Sequence, residues 1–143
     1  MRGLSNRYLV KLGALLIFGA TVRAGAVEQG PPPNALILFG ANWCAPCLAE
    51  LRDLPAWGTA MAPALVLIAW TEGQPPMLWR QWPGNARLLA PGEAAPLLGQ
   101  IGGKTAGLPY VALLDAEGKL CAELRGKLNP ARLEAMKARC RAS

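Results

Sequence analysis

Three short, unbroken apolar runs limit the folds that this chain can adopt. They cover residues 35–39, 64–70 and 110–114. Such runs are typical of strands that are buried on both faces, because a sheet covered by helices on each side leaves no solvated face for polar residues to occupy. The runs therefore predict an α/β domain built on a central sheet.

The segments between the runs predict the remaining elements. A first helix begins at residues 44–46. An irregular insertion follows at 71–92, with a short helix near 77–82 and a short strand at 87–89. Further helices are predicted over 93–101 and 130–141, and between them lies a hairpin turn at 115–118 with its return strand at 119–125. Pro55 should kink or end the first helix. This order predicts a mixed sheet flanked by helices on both faces, with a central insertion.

The N-terminus has the pattern of a secretory signal. Three basic residues precede an apolar stretch over residues 12–22, and Ala-Gly-Ala at 24–26 supplies a cleavage site. The predicted parts of the chain are a signal peptide (1–26), a Pro-rich leader (27–34) and the α/β domain (35–143). The alternative is an uncleaved anchor over residues 8–22, although a spanning helix needs about 20 apolar residues. We expect an exported, periplasmic protein with no stable membrane insertion once the signal is cleaved.

The net charge of +6 comes mostly from that N-terminal segment. Four of the fifteen Lys and Arg residues, and none of the nine acidic residues, precede Ala26. Eleven basic residues then face nine acidic ones, so no basic patch remains to indicate a nucleic-acid partner. Hydrophobic residues make up 52% of the chain, which excludes a disordered protein.

The pentapeptide Trp43-Cys44-Ala45-Pro46-Cys47 carries the strongest chemical signal, because it follows a buried strand and opens a helix. At that place the helix dipole and free backbone N–H groups lower the pKa of the first thiol and stabilise its thiolate. Cys44 is therefore the predicted nucleophile. Cys47, one turn further and more buried, is predicted to resolve the mixed disulfide, and Pro46 stiffens the turn between them.

Three other uses of this motif fit the sequence less well. A zinc site would need Cys121 and Cys140 as further ligands, but the chain has no His and their spacing is not a second Cys-x-x-Cys. A c-type haem site would need His directly after Cys47, where Leu48 stands. A purely structural disulfide across so short a loop would constrain little of the unfolded chain.

A second signal is the dipeptide Leu108-Pro109, which stands directly before the third apolar run. Proline cannot be a central ladder residue of a sheet, but it can enter a strand through a cis peptide bond. Such a turn would expose the backbone of Leu108 to an extended substrate segment beside Cys44. The alternative is an ordinary trans proline at a strand start.

Together these features resemble the thioredoxin superfamily, and within it the TlpA-like or DsbE-like envelope group. The pattern covers nearly all of residues 34–141, and residues 113–119 together with the signal segment point to the envelope group. The resemblance implies a thioredoxin-like fold, a redox-active Cys44–Cys47 pair supported by Trp43, and a cis-proline at Pro109. It implies no metal and no organic cofactor.

The chain departs from the superfamily pattern at Leu38, where many thioredoxins carry a buried acid six residues before the first Cys. The proton of the resolving thiol must then go elsewhere, to water or to Glu50, which also fits a plain helix-surface residue. Leu108 is bulkier than the Thr or Val that usually precedes the cis-proline. These departures leave the direction and rate of exchange open.

Two cysteines, Cys121 and Cys140, lie outside the Cys-x-x-Cys motif. The pairing that retains Cys44–Cys47 would join them as a structural disulfide between the return strand and the last helix. Residue alternation along the strand puts Cys121 on the face of Glu123, so this bond requires the helix to cover that face. The alternative is two inert thiols, or one that relays electrons. Trp57, Trp70, Trp79 and Trp82 are predicted to serve packing.

The sequence thus predicts a periplasmic thiol–disulfide oxidoreductase whose partners are protein dithiols or disulfides and a membrane thiol–disulfide electron carrier. The resemblance favours the reducing direction, for example in cytochrome c maturation or the maintenance of other envelope thiols. The alternatives are an oxidant or isomerase of the same fold, or a binding and assembly module without turnover. A copper-handling relative is disfavoured by the absence of His.

Overall fold

The computed structural model describes residues 30–76, 82–90 and 92–143. Its elements are β1 (Leu36–Ala41), α1 (Ala45–Arg52), α2 (Leu54–Met61), β2 (Val66–Glu72), β3 (Ala86–Leu88), α3 (Ala94–Gly102), β4 (Tyr110–Leu114), β5 (Leu120–Arg125) and α4 (Pro130–Ala142). The predicted signal peptide, the anchor alternative over 8–22, Trp79 and nearly all of the predicted helix near 77–82 lie outside the described residues.

The strands form one mixed sheet in the order β3-β2-β1-β4-β5. Strands β1, β2 and β3 run parallel to one another, whereas β4 runs antiparallel to β1 and β5 antiparallel to β4. Parallel neighbours bring the C-terminal ends of β1 and β2 to one edge of the sheet. The antiparallel β4 brings its N-terminal end, and hence Pro109, to that same edge.

Both faces of the sheet are covered, as the apolar runs predict. Along β1, Leu36 and Leu38 pack into one core with side chains of α1, α2 and α4. Ile37 and Phe39 pack into a second core on the opposite face, against α3. The predicted thioredoxin-like α/β class, with helices on both faces of a mixed sheet, is confirmed.

Pro55 does not kink one long helix. The chain instead forms two helices that meet at Asp53, which ends α1 and precedes α2, and Pro55 lies in the first turn of α2. Proline is well tolerated there because the first helical N–H groups have no partner within the helix. The break therefore comes two residues earlier than the proline alone indicates.

Cys121 is the extra residue of a bulge in the β4–β5 ladder. Leu113 pairs with Ala122, but Leu114 pairs with Leu120, so Cys121 has no direct partner. A bulge interrupts the alternation of side chains. As a result both Cys121 and Ala122 pack against the core beneath α4. This removes the obstacle that strict alternation raised, and the structure joins Cys121 to Cys140 in a disulfide.

Candidate active site

The Cys44–Cys47 pair sits where β1 gives way to α1, at the head of the helix. Cys44 is the N-cap of α1 in extended conformation, and Pro46 lies in the first turn. The backbone N–H of Cys47 donates to Sγ of Cys44 over 3.2 Å. The two sulfurs are bonded at 2.01 Å. A sulfur that caps a helix N-terminus is placed where both the dipole and an amide stabilise a thiolate.

The disulfide is enclosed, and the residue before it is exposed. Cys44 and Cys47 are 3% and 1% exposed, whereas Trp43 is 65% exposed. The indole N–H of Trp43 donates to Oε2 of Glu72 at the end of β2, over 2.9 Å. Trp43 is therefore a large apolar surface, anchored at one end, directly beside the reactive pair.

A second tryptophan, Trp70, packs against the strand that precedes the Cys44–Cys47 pair. The ring of Trp70 on β2 packs so closely on Gly40 that a Cβ at Gly40 would lie 2.3 Å from the ring and 2.9 Å from Cβ of Cys47. The indole N–H of Trp70 donates to Oδ1 of Asn42 over 2.7 Å. Trp70 packs as predicted from the sequence, whereas the roles of Gly40 and Asn42 were not predicted. The sequence feature that could have indicated a role at the site is their position, because all three residues flank the edge of the sheet where the parallel strands end.

The Leu108–Pro109 peptide bond is cis. Tyr110, the next residue, pairs with Phe39 of β1, so the turn lies at the sheet edge that carries the cysteines. The carbonyl of Pro109 accepts the backbone N–H of Gly126, over 2.9 Å. Leu108 is half-buried and contacts both cores. The structure thus brings Pro109 and the Cys44–Cys47 pair to one end of the molecule.

Glu50 is not a surface residue. It is 3% exposed and lies one turn after Cys47 on the buried side of α1. Its Oε1 accepts the backbone N–H of Leu128. Within the described ranges, its Oε2 is buried without a well-formed hydrogen bond. Burial raises the pKa of the Glu50 carboxyl, an effect that the Leu128 amide, the indole of Trp57 and the charge of Lys127 partly offset.

Leu38 occupies the position on β1 where many thioredoxins carry a buried acid. It is buried in the same core as Cys44 and Cys47. Among the described residues, Glu50 is the one charged side chain that is buried. Because residues three apart on a helix are neighbours, Glu50 lies beside Cys47 on α1.

The described residues hold no group of three or more His, Cys, Asp or Glu side chains that could bind a metal ion. The Cys121–Cys140 disulfide lies far from Cys44, because Cys121 is near the start of β5 and Cys140 near the end of α4. No helix in residues 30–76, 82–90 and 92–143 combines the length and apolar character needed to cross a membrane.

This fold, with a Cys-x-x-Cys disulfide at the head of the first helix, defines a thioredoxin-like thiol–disulfide oxidoreductase. No protein-family model and no curated protein sequence matches the chain. Solved structures do match. The exposed lipoprotein thioredoxin Etrx1 of Streptococcus pneumoniae is 27% identical, with a TM-score of 0.55, and the match covers 73% of this chain and 83% of that one.

Two further structures share the fold at lower identity. The thiol:disulfide interchange protein DsbE of Chlorobium tepidum is 20% identical, with a TM-score of 0.54 over 77% of this chain and 79% of that one. DsbF of MTB is 18% identical, with a TM-score of 0.58 over 76% of this chain and 82% of that one. The predicted resemblance to the thioredoxin superfamily is confirmed.

Proposed function

We propose that this chain is an exported reductase of protein disulfides, working in the periplasm through Cys44 and Cys47. The observation that carries the proposal is the Cys44 sulfur itself, which caps α1 and accepts the Cys47 amide over 3.2 Å. When the pair is reduced, the same amide and the helix dipole favour the thiolate, which is the attacking species in disulfide exchange.

The reaction passes two electrons to the substrate. The Cys44 thiolate attacks one substrate sulfur, forming a mixed disulfide and releasing the other substrate sulfur as a thiolate, which takes up a proton. The Cys47 thiol then loses its proton, and its sulfur attacks Sγ of Cys44, which breaks the mixed disulfide. The second substrate sulfur leaves as a thiolate and takes up a proton. The substrate leaves as a dithiol, and the Cys44–Cys47 disulfide seen in the structure is the product state. A membrane thiol–disulfide carrier would reduce it again.

Glu50 is the proposed acceptor of the Cys47 proton. It lies one turn from Cys47, it is buried, and its Oε2 makes no well-formed hydrogen bond within the described residues. Burial raises the pKa of this carboxyl above its ordinary value of 4.5, which brings it closer to that of a thiol. With Leu38 on the strand side, no other buried acid of the described chain competes for this role.

Substrate contacts are proposed at the exposed end of the site. Trp43 offers an apolar surface beside the disulfide, and the backbone at Leu108–Pro109 enters the same edge of the sheet. An extended segment around a substrate cysteine would pair with that backbone. The cellular location rests on the predicted signal peptide over residues 1–26, and the similar pneumococcal protein is an exposed lipoprotein.

The test is reduction of a protein disulfide by the purified chain, together with the reduction potential of the Cys44–Cys47 couple. Cys44→Ser should abolish exchange, while a Cys121→Ala/Cys140→Ala double variant should retain it. A potential near that of thioredoxin, about −270 mV, supports a reductase, and one near DsbA, about −120 mV, indicates an oxidant. Exchange that survives Cys44→Ser would refute the assignment. Peptide binding with a redox-inert pair would favour a binding module.

A further inference from the structure

Three groups from two parts of the chain, the loop before α4 and helix α2, act on the carboxylate of Glu50. The loop before α4 supplies the Leu128 N–H, which donates to Oε1. Helix α2 supplies the indole of Trp57, whose buried Nε1, like Oε2 of Glu50, makes no well-formed hydrogen bond within the described residues. This indole lowers the pKa of the Glu50 carboxyl. The neighbouring Lys127 acts through its positive charge. An acid that merely filled space would not need three such partners.

An ion pair holds Lys127 at the surface above this carboxylate. Its Nζ lies 3.3 Å from Oδ2 of Asp53, and both side chains are about half exposed. Lys127, Asp53 and Trp57 also line a cavity of about 470 Å³, which the start of α4 closes with Arg132. Lys127 and Asp53 act on Glu50 with opposite signs. Leu128, whose N–H donates to the Glu50 carboxylate, lines the same cavity.

We propose that Trp57 and Lys127 are positioning residues for exchange, which hold the Glu50 carboxylate ready to take the Cys47 proton and let it leave through this cavity. This inference rests on the proposed role of Glu50. The proton moves from the Cys47 sulfur to Oε2 of Glu50 as the Cys44–Cys47 bond forms. It passes from Glu50 to water in the cavity before the next cycle. Electrons move only between sulfurs.

The direction of each effect follows from its chemistry. The Trp57 N–H and the Lys127 charge both favour the ionised carboxylate, so removing either should raise the pKa of Glu50. Glu50 must be ionised to accept a proton, so exchange should then need a higher pH. Asp53 acts on Glu50 in the opposite sense but also holds Lys127 in place. It is therefore not a clean probe, and Lys127 and Trp57 are the residues to change.

The experiment is the pH dependence of single-turnover oxidation of the reduced, full-length protein by oxidised glutathione. Trp57→Phe keeps the ring and removes the N–H, and Lys127→Met keeps much of the side chain and removes the charge. For both variants we expect the acidic limb of the profile to move to higher pH, with a rate roughly three- to tenfold lower on that limb. Lys127→Arg should restore the profile.

The matched control is Lys119→Met, an exposed lysine in the hairpin at the opposite end of the sheet, which should leave the profile in place. A Cys47→Ser variant lacks the resolving thiol, so its reaction with oxidised glutathione reports only the first attack by Cys44. In that variant Lys127→Met should leave the rate and its pH dependence unchanged. Lys127 is half exposed, so its variant tests the proposal even if Trp57→Phe unfolds.

Two results would overturn the inference, and they can be told apart. If Glu50→Gln moves the acidic limb but Lys127→Met and Trp57→Phe do not, Glu50 acts without these partners. If Glu50→Gln itself leaves the profile unchanged, the proposed role of Glu50 fails and the inference fails with it. Disulfide exchange by Cys44 would stand in both cases.

Discussion

Removing the Cys121–Cys140 disulfide should destabilise the domain by about 3 kcal/mol without affecting exchange at Cys44. The cysteines are 19 residues apart in sequence. Closing a loop of that length in the unfolded chain removes entropy equivalent to about 3 kcal/mol at 25 °C, on the chain-entropy model. In a Cys121→Ala/Cys140→Ala variant, the buried Leu133 and Met136 still hold α4 on the sheet. We therefore expect a weaker but folded domain.

Chemical unfolding followed by tryptophan fluorescence measures the loss directly. A loss of about 3 kcal/mol corresponds to a fall in Tm of about 12 °C for a domain of this size. The matched control is Cys44→Ala/Cys47→Ala, which removes a disulfide with a separation of only 3 residues. Its loss should be smaller by about 1.6 kcal/mol, from the logarithmic dependence on loop length. A loss below about 1 kcal/mol for Cys121→Ala/Cys140→Ala, or one no larger than in the control, would refute the reasoning.

Two further predictions concern the surroundings of the reactive pair. Gly40→Ala should destabilise the domain by about 1–3 kcal/mol in denaturant unfolding and slow exchange, because the new methyl group would lie 2.3 Å from the ring of Trp70; wild-type stability would contradict the close packing. Glu50→Gln should gain stability relative to wild type as pH rises. The raised pKa of Glu50 favours the folded state at low pH, and that contribution is lost as pH increases from about 4.5 through the folded-state value. Unfolding free energies measured from pH 4 to 8 test this, and a difference between the two proteins that does not change with pH would contradict it.

The central sheet could be predicted from sequence because its strands are buried on both faces and carry no conflicting signal. Residues 36–39 and 110–114 lie in β1 and β4 as expected, and they pair antiparallel near the centre of the sheet. The reactive pair was equally clear, since the Cys-x-x-Cys spacing and the strand before it are local features. The break at Asp53 was misplaced because Pro55 marks where a helix can start as well as where one ends.

The features that sequence reasoning missed depend on contacts between distant segments. Strict alternation of side chains cannot predict the bulge at Cys121, because it assumes that every residue of β5 has a partner on β4. The burial of Glu50 depends on Leu128, which lies 78 residues further along the chain. A glutamate on a short helix therefore fits a solvated face until the loop before α4 is placed over it.

The strand position beneath the superfamily's first cysteine holds Leu38 in this chain, and the buried acid is Glu50 on α1. This arrangement bears on where a proton leaves the site. Leu38 lies on the central strand of the sheet and faces a core sealed by α1, α2 and α4. A proton received at that position would have no polar route outward through the apolar side chains around it. In the proposed mechanism Glu50 receives the proton on α1, near Trp57 and Lys127, which line a cavity with charged walls. On this proposal an acid on the helix replaces an acid on the strand. The loop before α4, which covers Glu50, then takes part in exchange.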